Sequence, residues 1–380
     1  MTDDDGRVLL HLTTPAQWRA ALQTGAVTPP SLAEVGFVHL STPDQVHLPA
    51  DRLFPDRRDV VLLVVDPTRL TAPVRFEPGV PTDPASMRFP HLYGPLPTAA
   101  VVAVVPWRPG STPALPDPAD ALARARAMDV SLRTRRAPQV LDLPGGVAVL
   151  DPDLPHSRDD NRLLLTGAVA ADDVEALAAG VAADAGWTTR AVTLLHPDAE
   201  PVATELLRRG WHLATTLVMA RWAPFPAAST GRAEVVPQTD VHALWNRSWR
   251  EALGPAEPDL DEVVGQLIGR EHRNDRVVAV TDVAVLEDGE VVAAAQVRVD
   301  GATASLESVV SDPAVRGRGH GDALLDRAVD TVRAAGCDLL LLDAAADDWP
   351  RHWYGRRGWH VVGRTWDAVA QTGATTDRIR

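Results

Sequence analysis

The sequence predicts a mixed α/β protein, α+β in class, made of a small N-terminal domain followed by two domains related to each other. Three observations carry that expectation. Two Pro/Ala/Ser-rich stretches, PWRPGSTPALPDP at 106–118 and APFPAASTG at 223–231, interrupt the periodic segments as linkers do, and divide the 380 residues into domains at 1–110, 111–225 and 226–380. The segment LLRRGWH (206–212) recurs as YGRRGWH (354–360), an offset of 148, and each copy follows a strand-like apolar run at the same spacing. The third block places turn signals between strand formers, then a glycine-rich loop and an amphipathic helix. The repeat reads as a duplicated domain; a chance match in a chain rich in Arg and Trp is the other reading.

Composition narrows the classes of partner. The chain is 45% hydrophobic and 23% charged, as ordinary globular proteins are, with a formal net charge of −14. All 37 basic residues are arginine. A field of that sign disfavours nucleic acid and anionic membranes, and no basic cluster beyond short Arg pairs offsets it. No apolar run reaches membrane-spanning length, and MTDDDGRVLLHLTT lacks the basic and long apolar regions of an export signal, so the cytoplasm is the expected compartment. The single cysteine, Cys337, lies in the apolar run CDLLLLD and reads as a buried, inert thiol. No metal site is expected, because no close His pair sits at ligand spacing with carboxylates.

The third block opens with a helical stretch, HALWNRSWREAL, in which Trp245 and Trp249 share a face and either pack in the core or wall an apolar acceptor pocket. From Val277 onward, Asp288-Gly289 and Asp300-Gly301 mark two hairpin turns between strand-forming runs. The strand-like run through 306–311 stops at Pro313, which has no N–H for a ladder. RGRGHG (316–321) follows, then a helix with Leu324, Leu325, Ala328, Val329, Val332 and Ala335 on one face. Strand, glycine-rich loop and helix leave backbone N–H groups free at a helix N-terminus, and glycines let a phosphate come close, so the layout suits a pyrophosphate. A Walker loop needs lysine, and the spacing of a dinucleotide fingerprint is absent.

SDPAVRGRGHG resembles motif A of the GNAT acyltransferase superfamily, Arg/Gln-x-x-Gly-x-Gly/Ala after a strand ending near a proline, with Arg316, Gly319 and Gly321 on the signature positions. Further on, DDWPRHWYGRRGW resembles motif B through Tyr354, Gly358 and Trp359. The resemblance implies a central mixed, mostly antiparallel sheet flanked by helices in both related domains. It also implies acyl transfer to an amine, with acetyl-coenzyme A as co-substrate and a small-molecule or protein amine as acceptor. By the same resemblance Arg316, Gly317, Arg318, Gly319, His320 and Gly321 hold the pyrophosphate, and backbone groups of Val309, Val310 and Ser311 pair with the pantetheine arm. Tyr354 is then the general acid for the departing thiolate, and Glu307 stands where many members place a carboxylate base. A packed aromatic is the other reading of Tyr354, and a solvated strand carboxylate that of Glu307. Asp347 departs from the family, where asparagine is usual, and leaves the local cofactor contacts open.

Shifted back by 148, Arg316–Gly321 falls on AVAADD (168–173), which has no glycine and two acids, and Tyr354 falls on Leu206. The second block therefore reads as a degenerate copy that keeps the fold without the site, in a tandem arrangement known among GNAT proteins.

In the first block HLTTPAQWRAALQTG, SLAEVGFVHLST, VVLLVVD and FPHLYGPLP resemble the DUF952 family, a domain of unknown function grouped with the ADP-ribosyltransferase-like fold. That resemblance implies NAD or its ADP-ribose part as a ligand, with His11, His39, Ser41, Thr42, His91 and Tyr93 as candidate contacts. Backbone-bonded buried histidines and turn-capping hydroxyls are the other reading. On this alternative the N-terminal block handles NAD or ADP-ribose, and the tandem pair acts as a coenzyme A sensor or scaffold.

Overall fold

The computed structural model describes residues 8–79, 87–110, 112–227 and 231–371. The start of the chain, on which the export-signal reading rests, and parts of both Pro-rich stretches lie outside the described residues. The protein is mixed α/β, with sheets rich in antiparallel pairs. It forms two compact units: Met1–Arg135 with Trp222–Trp245 and His272–Leu341, and Arg136–Arg221 with Asn246–Glu271 and Leu342–Arg380. The N-terminal block thus shares a unit with much of the third block.

In the first unit the apolar run Val61–Val65, buried throughout, is the middle strand of an antiparallel sheet between Leu9–Thr13 and Val101–Pro106. The helix Pro15–Thr24 begins with a Thr14/Gln17 capping box and a proline in its first turn, and ends at Gly25, whose φ of 80° no β-carbon hinders. A second small sheet joins Val38–His39, Arg88–Leu92 and Val74–Pro78. The third-block sheet of this unit runs Glu234–Val236, Ala279–Glu287, Glu290–Asp300 and Thr303–Ser311 as antiparallel neighbours, with Leu339–Ala345 parallel to the last. Asp288 and Gly289 both take positive φ, as the predicted two-residue hairpin turn requires. The helix His320–Ala334 buries Leu324, Leu325, Ala328, Val329 and Val332 of the face its periodicity predicts, while Ala335, just past the helix end, is exposed.

Side chains tie the N-terminal block to this sheet. Trp18 Nε1 donates to Asp300 at 2.7 Å, and Arg135 pairs with the same buried carboxylate. Ala302 N donates to the Val101 carbonyl at 2.7 Å, and Thr303 Oγ1 to that of Val102 at 2.6 Å. A β-carbon at Gly301 would overlap the Val101 carbonyl oxygen, so only glycine allows this approach. Removing one partner of a buried ion pair such as Arg135–Asp300 costs about 3–5 kcal/mol, because the other charge stays buried.

The second unit contains a sheet in the order His212–Trp222, His360–Gln371, Thr189–Leu194, Arg162–Leu165, Gly146–Leu150, Gln139–Leu143, with the helices Ala171–Ala185 and Glu200–Arg208. Both copies of the sequence repeat build one local structure. Gly210 and Gly358 take φ of 87° and 80°, and the buried tryptophan after each donates its N–H to the residue five positions back: Trp211 to Leu206 at 3.1 Å, Trp359 to Tyr354 at 3.3 Å. The strands that follow pair antiparallel with one another, from His212↔Val369 to Ala220↔His360.

Candidate active site

The strand Thr303–Ser311 pairs on one side with Glu290–Asp300 from Thr303↔Asp300 to Ser311↔Ala293. On the other side its parallel pairing with Leu339–Ala345 stops after Thr303↔Leu339, Ala304↔Leu340 and Ser305↔Leu341. From Leu306 on, that edge has no strand partner among the described residues, and Val309, Val310 and Ser311 lie on this stretch. Peptide groups there can bond an extended ligand as a strand would. Ser308, with φ 52°, sits in an irregularity where the register shifts between Gln296↔Glu307 and Ala294↔Val310, and such a bulge re-aims neighbouring groups.

Past Ser311 the Asp312 carboxylate accepts from Ala314 N at 3.0 Å and shapes the turn Pro313–Val315. Gly317 and Gly319 take φ of 81° and 80°, and the helix beginning at His320 has no side-chain cap. Its first N–H groups are therefore left to a ligand or solvent. Arg316 and Arg318 are exposed, and Arg232 Nη1 donates to the Arg318 carbonyl at 3.2 Å. Two left-handed glycines, an uncapped helix N-terminus and nearby guanidinium groups fit a diphosphate. Arg318 also pairs with Glu287 at 2.8 Å. His320 is buried with Nε2 3.1 Å from Glu287 Oε1, a contact that lacks the alignment of a hydrogen bond. Its side chain is buried beside Glu287, so the backbone N–H groups of His320 and Gly321, not the imidazole, are what this turn offers an anion.

Glu307 is half-buried, with Oε1 4.0 Å from Arg298 Nη1. Arg298 Nε donates to Gln296 Oε1 at 2.7 Å, and Gln296 Nε2 to Asp282 Oδ1 at 3.0 Å. Asp282, Gln296 and Glu307 stand directly opposite one another on three successive strands, so they share a face of the sheet. Sequence reasoning missed this row and Glu287; only the strand register brings its members together.

Tyr354 lies in the second unit, on the short helix Pro350–Gly355, largely buried with the Trp353 and Trp359 rings at 4.8 and 6.0 Å. Trp245 is buried, as the core reading expects, and Trp249 lies under the Arg270 guanidinium. The Cys337 thiol is buried and its pKa pushed up to about 12, chiefly by desolvation, so it stays protonated and unreactive. In the second block the parallel strands stay paired to their ends, through Leu165↔Leu194 and the Leu195 N–H to the Leu165 carbonyl at 2.8 Å. Asp172 and Asp173 occupy the first turn of the next helix, and Leu206 is fully buried.

The N-terminal candidates separate into two groups. His11 is buried with Nδ1 2.9 Å from the His39 carbonyl, and desolvation lowers its pKa. It lines a cleft of about 420 Å³ with Thr13, Gln17, Thr24 and Phe54. Ser41 exchanges backbone hydrogen bonds with Leu10, and Thr42 Oγ1 bonds Gln45 at 3.0 Å. His39, His91 and Tyr93 gather elsewhere, with Phe37, Arg75 and Glu77. Phe37 stacks on His91 at 3.9 Å, and Tyr93 donates to Glu77 at 2.6 Å. His91 Nδ1 lies 3.4 Å from the same carboxylate, and its Nε2 is buried without a partner. Burial lowers the pKa of His91, against the pull of Glu77, and burial followed by repulsion from His91 lowers that of His39. Strand alternation in VRFEP puts Arg75 and Glu77 on one face and was the available signal for them.

Among the described residues no group of three His, Cys, Asp or Glu side chains could hold a metal ion, and no helix is long and apolar enough to cross a membrane.

Residues 12–104 match the family described as Protein of unknown function (DUF952), and residues 239–359 match the Acetyltransferase (GNAT) family. No curated protein matches the chain. Among solved structures, a GCN5-related N-acetyltransferase from Kribbella flavida is 17% identical, the match covering 68% of this chain and 98% of that one with a TM-score of 0.45. A tandem GNAT protein from the clavulanic acid biosynthesis pathway is 16% identical over 53% of this chain and 70% of its own, with a TM-score of 0.39. A protein from Caulobacter crescentus is 25% identical over 28% of this chain and 93% of its own, with a TM-score of 0.24. On the two family matches, this chain carries a DUF952 domain at its N-terminus and, towards its C-terminus, an acetyltransferase domain of the GNAT family.

Proposed function

We propose that the third block transfers an acetyl group from acetyl-coenzyme A to the amine of a small molecule or a protein. The observation that carries this reading is the stretch Leu306–Ser311, whose edge beyond the pairing with Leu339–Ala345 has no strand partner among the described residues, leading into a loop with two left-handed glycines at an uncapped helix N-terminus. Acetyl-coenzyme A supplies an activated thioester, and the protein's task is to orient it and manage two protons. The loop from Arg316 to Gly321 offers N–H groups and positive charge to the pyrophosphate, while Val309, Val310 and Ser311 offer backbone hydrogen bonds to the pantetheine arm. Glu307 accepts the proton that the attacking amine must lose. Tyr354 is assigned the proton donated to the thiolate, a role that rests on its place in motif B.

The test is a thermal-shift titration with acetyl-coenzyme A. A ligand of the folded state stabilises it by about 2.7 kcal/mol at a hundredfold excess over its dissociation constant. Gly319→Glu forces a side chain into a left-handed backbone at a cost of about 1–2 kcal/mol and sets a carboxylate where phosphate should bind. The shift should vanish in this variant. A wild-type protein that gives no shift, or a variant that keeps it, defeats the reading.

His91 favours a second reading, a ligand site in the N-terminal block, because a buried imidazole nitrogen without a partner is rare. NAD or ADP-ribose is the ligand this block's family resemblance implies. A thermal shift with NAD that His39→Ala removes would support it; no response to either ligand in the wild-type protein would end it.

A further inference from the structure

We propose that the cleft beside His11, in the N-terminal block, binds an uncharged ring amide, a molecule of the nucleobase or nucleoside kind whose N–H and C=O answer His11 and Gln17. The proposal is independent of the acyl-transfer reading and concerns a different place from the cluster of His39, His91 and Tyr93. The cleft has a volume of about 420 Å³. That falls in the usual range of small-molecule sites, about 300–1,000 Å³. It is lined from the strand Leu9–Thr13, the helix Pro15–Thr24 and residues 26–30, with Phe54 as a further wall.

His11 is the residue that points to a ligand. Strand alternation puts Leu9, His11 and Thr13 on one face, the face on which Leu9 packs with Trp18 and Ala21 of the helix. His11 is only 7% exposed, yet it lines the cleft. Its Nδ1 lies 2.9 Å from the His39 carbonyl, which can only accept, so Nδ1 carries the proton and Nε2 keeps a lone pair. Burial holds the pKa of His11 below the ordinary 6.5, so the ring is neutral at pH 7. Nε2 has no hydrogen-bond partner among the described residues. Folded proteins pair nearly all buried polar groups, so an unanswered acceptor on a cleft calls for a donor from a ligand.

Gln17 supplies the complementary group. The Thr14 N–H and the hydroxyls of Thr13 and Thr14 donate to Gln17 Oε1 at 3.2, 3.1 and 3.0 Å. A backbone N–H can only donate, so the orientation of the amide is fixed and Nε2 is left as a donor. The cleft thus offers one acceptor and one donor among apolar walls that include Leu12, Ala21, Val27, Pro29 and Phe54. No Asp, Glu or Arg is among the described residues that line it. A phosphate, carboxylate or ammonium would give up water there and meet no countercharge, which is costly. A neutral ring amide brings a donor for His11, an acceptor for Gln17 and an apolar face for the walls.

The experiment is a ligand-observed NMR titration of the full chain with uracil, uridine and inosine, each beside a charged counterpart: orotate for uracil, the 5′-monophosphates for the nucleosides. At least one neutral compound should bind, with its counterpart at least tenfold weaker. His11→Asn keeps an N–H for the His39 carbonyl and removes the Nε2 lone pair, while Gln17→Glu keeps the oxygen that caps the helix and replaces the donor with an acceptor. Each should weaken the bound compound at least tenfold with the circular-dichroism spectrum unchanged, and His39→Ala should leave binding as it is. Equal binding of the charged counterparts overturns the proposal. So does binding that survives both His11→Asn and Gln17→Glu, which puts the ligand elsewhere, and so does silence from all three neutral compounds, which leaves the cleft to water.

Discussion

The second and third blocks share the same Arg-Arg-Gly-Trp-His turn but treat the strands before it differently. In the third, parallel pairing stops at Ser305↔Leu341 and the longer strand runs on, paired on its other edge only, into a loop with Gly317 and Gly319 in left-handed conformation. In the second, pairing continues through Leu165↔Leu194, and the next helix opens on Asp172 and Asp173, the former held by Arg209 at 2.6 Å. What both copies keep is packing: a glycine with positive φ followed by a buried tryptophan. What differs is what a ligand would touch. Strand pairing and a few glycines thus separate the two copies, while both keep the glycine-tryptophan turn.

The largest effect expected from probing this contrast is at Tyr354, whose counterpart is Leu206. Tyr354→Phe removes one hydroxyl and should lower kcat by about 10²–10⁴, the usual worth of a positioned acid, with acetyl-coenzyme A binding unchanged. A kcat within a few-fold of wild type returns Tyr354 to the role of a packed aromatic. Leu206→Ala should do the reverse. Leu206 is fully buried, so the cavity should cost about 2–5 kcal/mol in denaturant unfolding without altering affinity for acetyl-coenzyme A. A loss of binding in that variant would mean that the two copies are not functionally separate.

The smallest effect concerns pH. His11, His39, His91 and His242, all in the first unit, have pKa values below the ordinary 6.5, with burial the leading cause in each. The unfolded chain then binds more protons than the folded one just below pH 6.5, so stability falls as pH drops from 6.5 towards the lower folded values. Melting temperatures measured from pH 7 to pH 5 should decline, and His11→Asn should make the decline shallower. An unchanged slope in that variant would show that His11 does not carry the dependence.

Much of the third block was legible because its signals are local. Asp-Gly turns, the apolar face of His320–Ala334 and the glycines of RGRGHG act within a few residues, where hairpin, helix and left-handed geometry leave little choice. The buried state of Cys337 was legible for the same reason, from the apolar run around it. The N-terminal candidates were less so. His11, His39, Ser41, Thr42, His91 and Tyr93 were read together as hydrogen-bonding residues at strand ends, yet only His39, His91 and Tyr93 share a side-chain cluster, completed by Phe37, Arg75 and Glu77. Residue type says which groups can meet, not which strand lies opposite.

By itself the sequence determined the class of the fold, the duplicated turn, the glycine-rich loop and which copy keeps it, since each depends on backbone preferences and periodicity within a short stretch. Tertiary structure decided where the pairing of Thr303–Ser311 with Leu339–Ala345 stops, that Asp282, Gln296 and Glu307 fall in one row, and that Trp18 reaches Asp300. These are matters of register and of contacts between residues far apart in the chain. A slip of one residue would turn every side chain of a strand to the other face, and nothing local distinguishes the two registers.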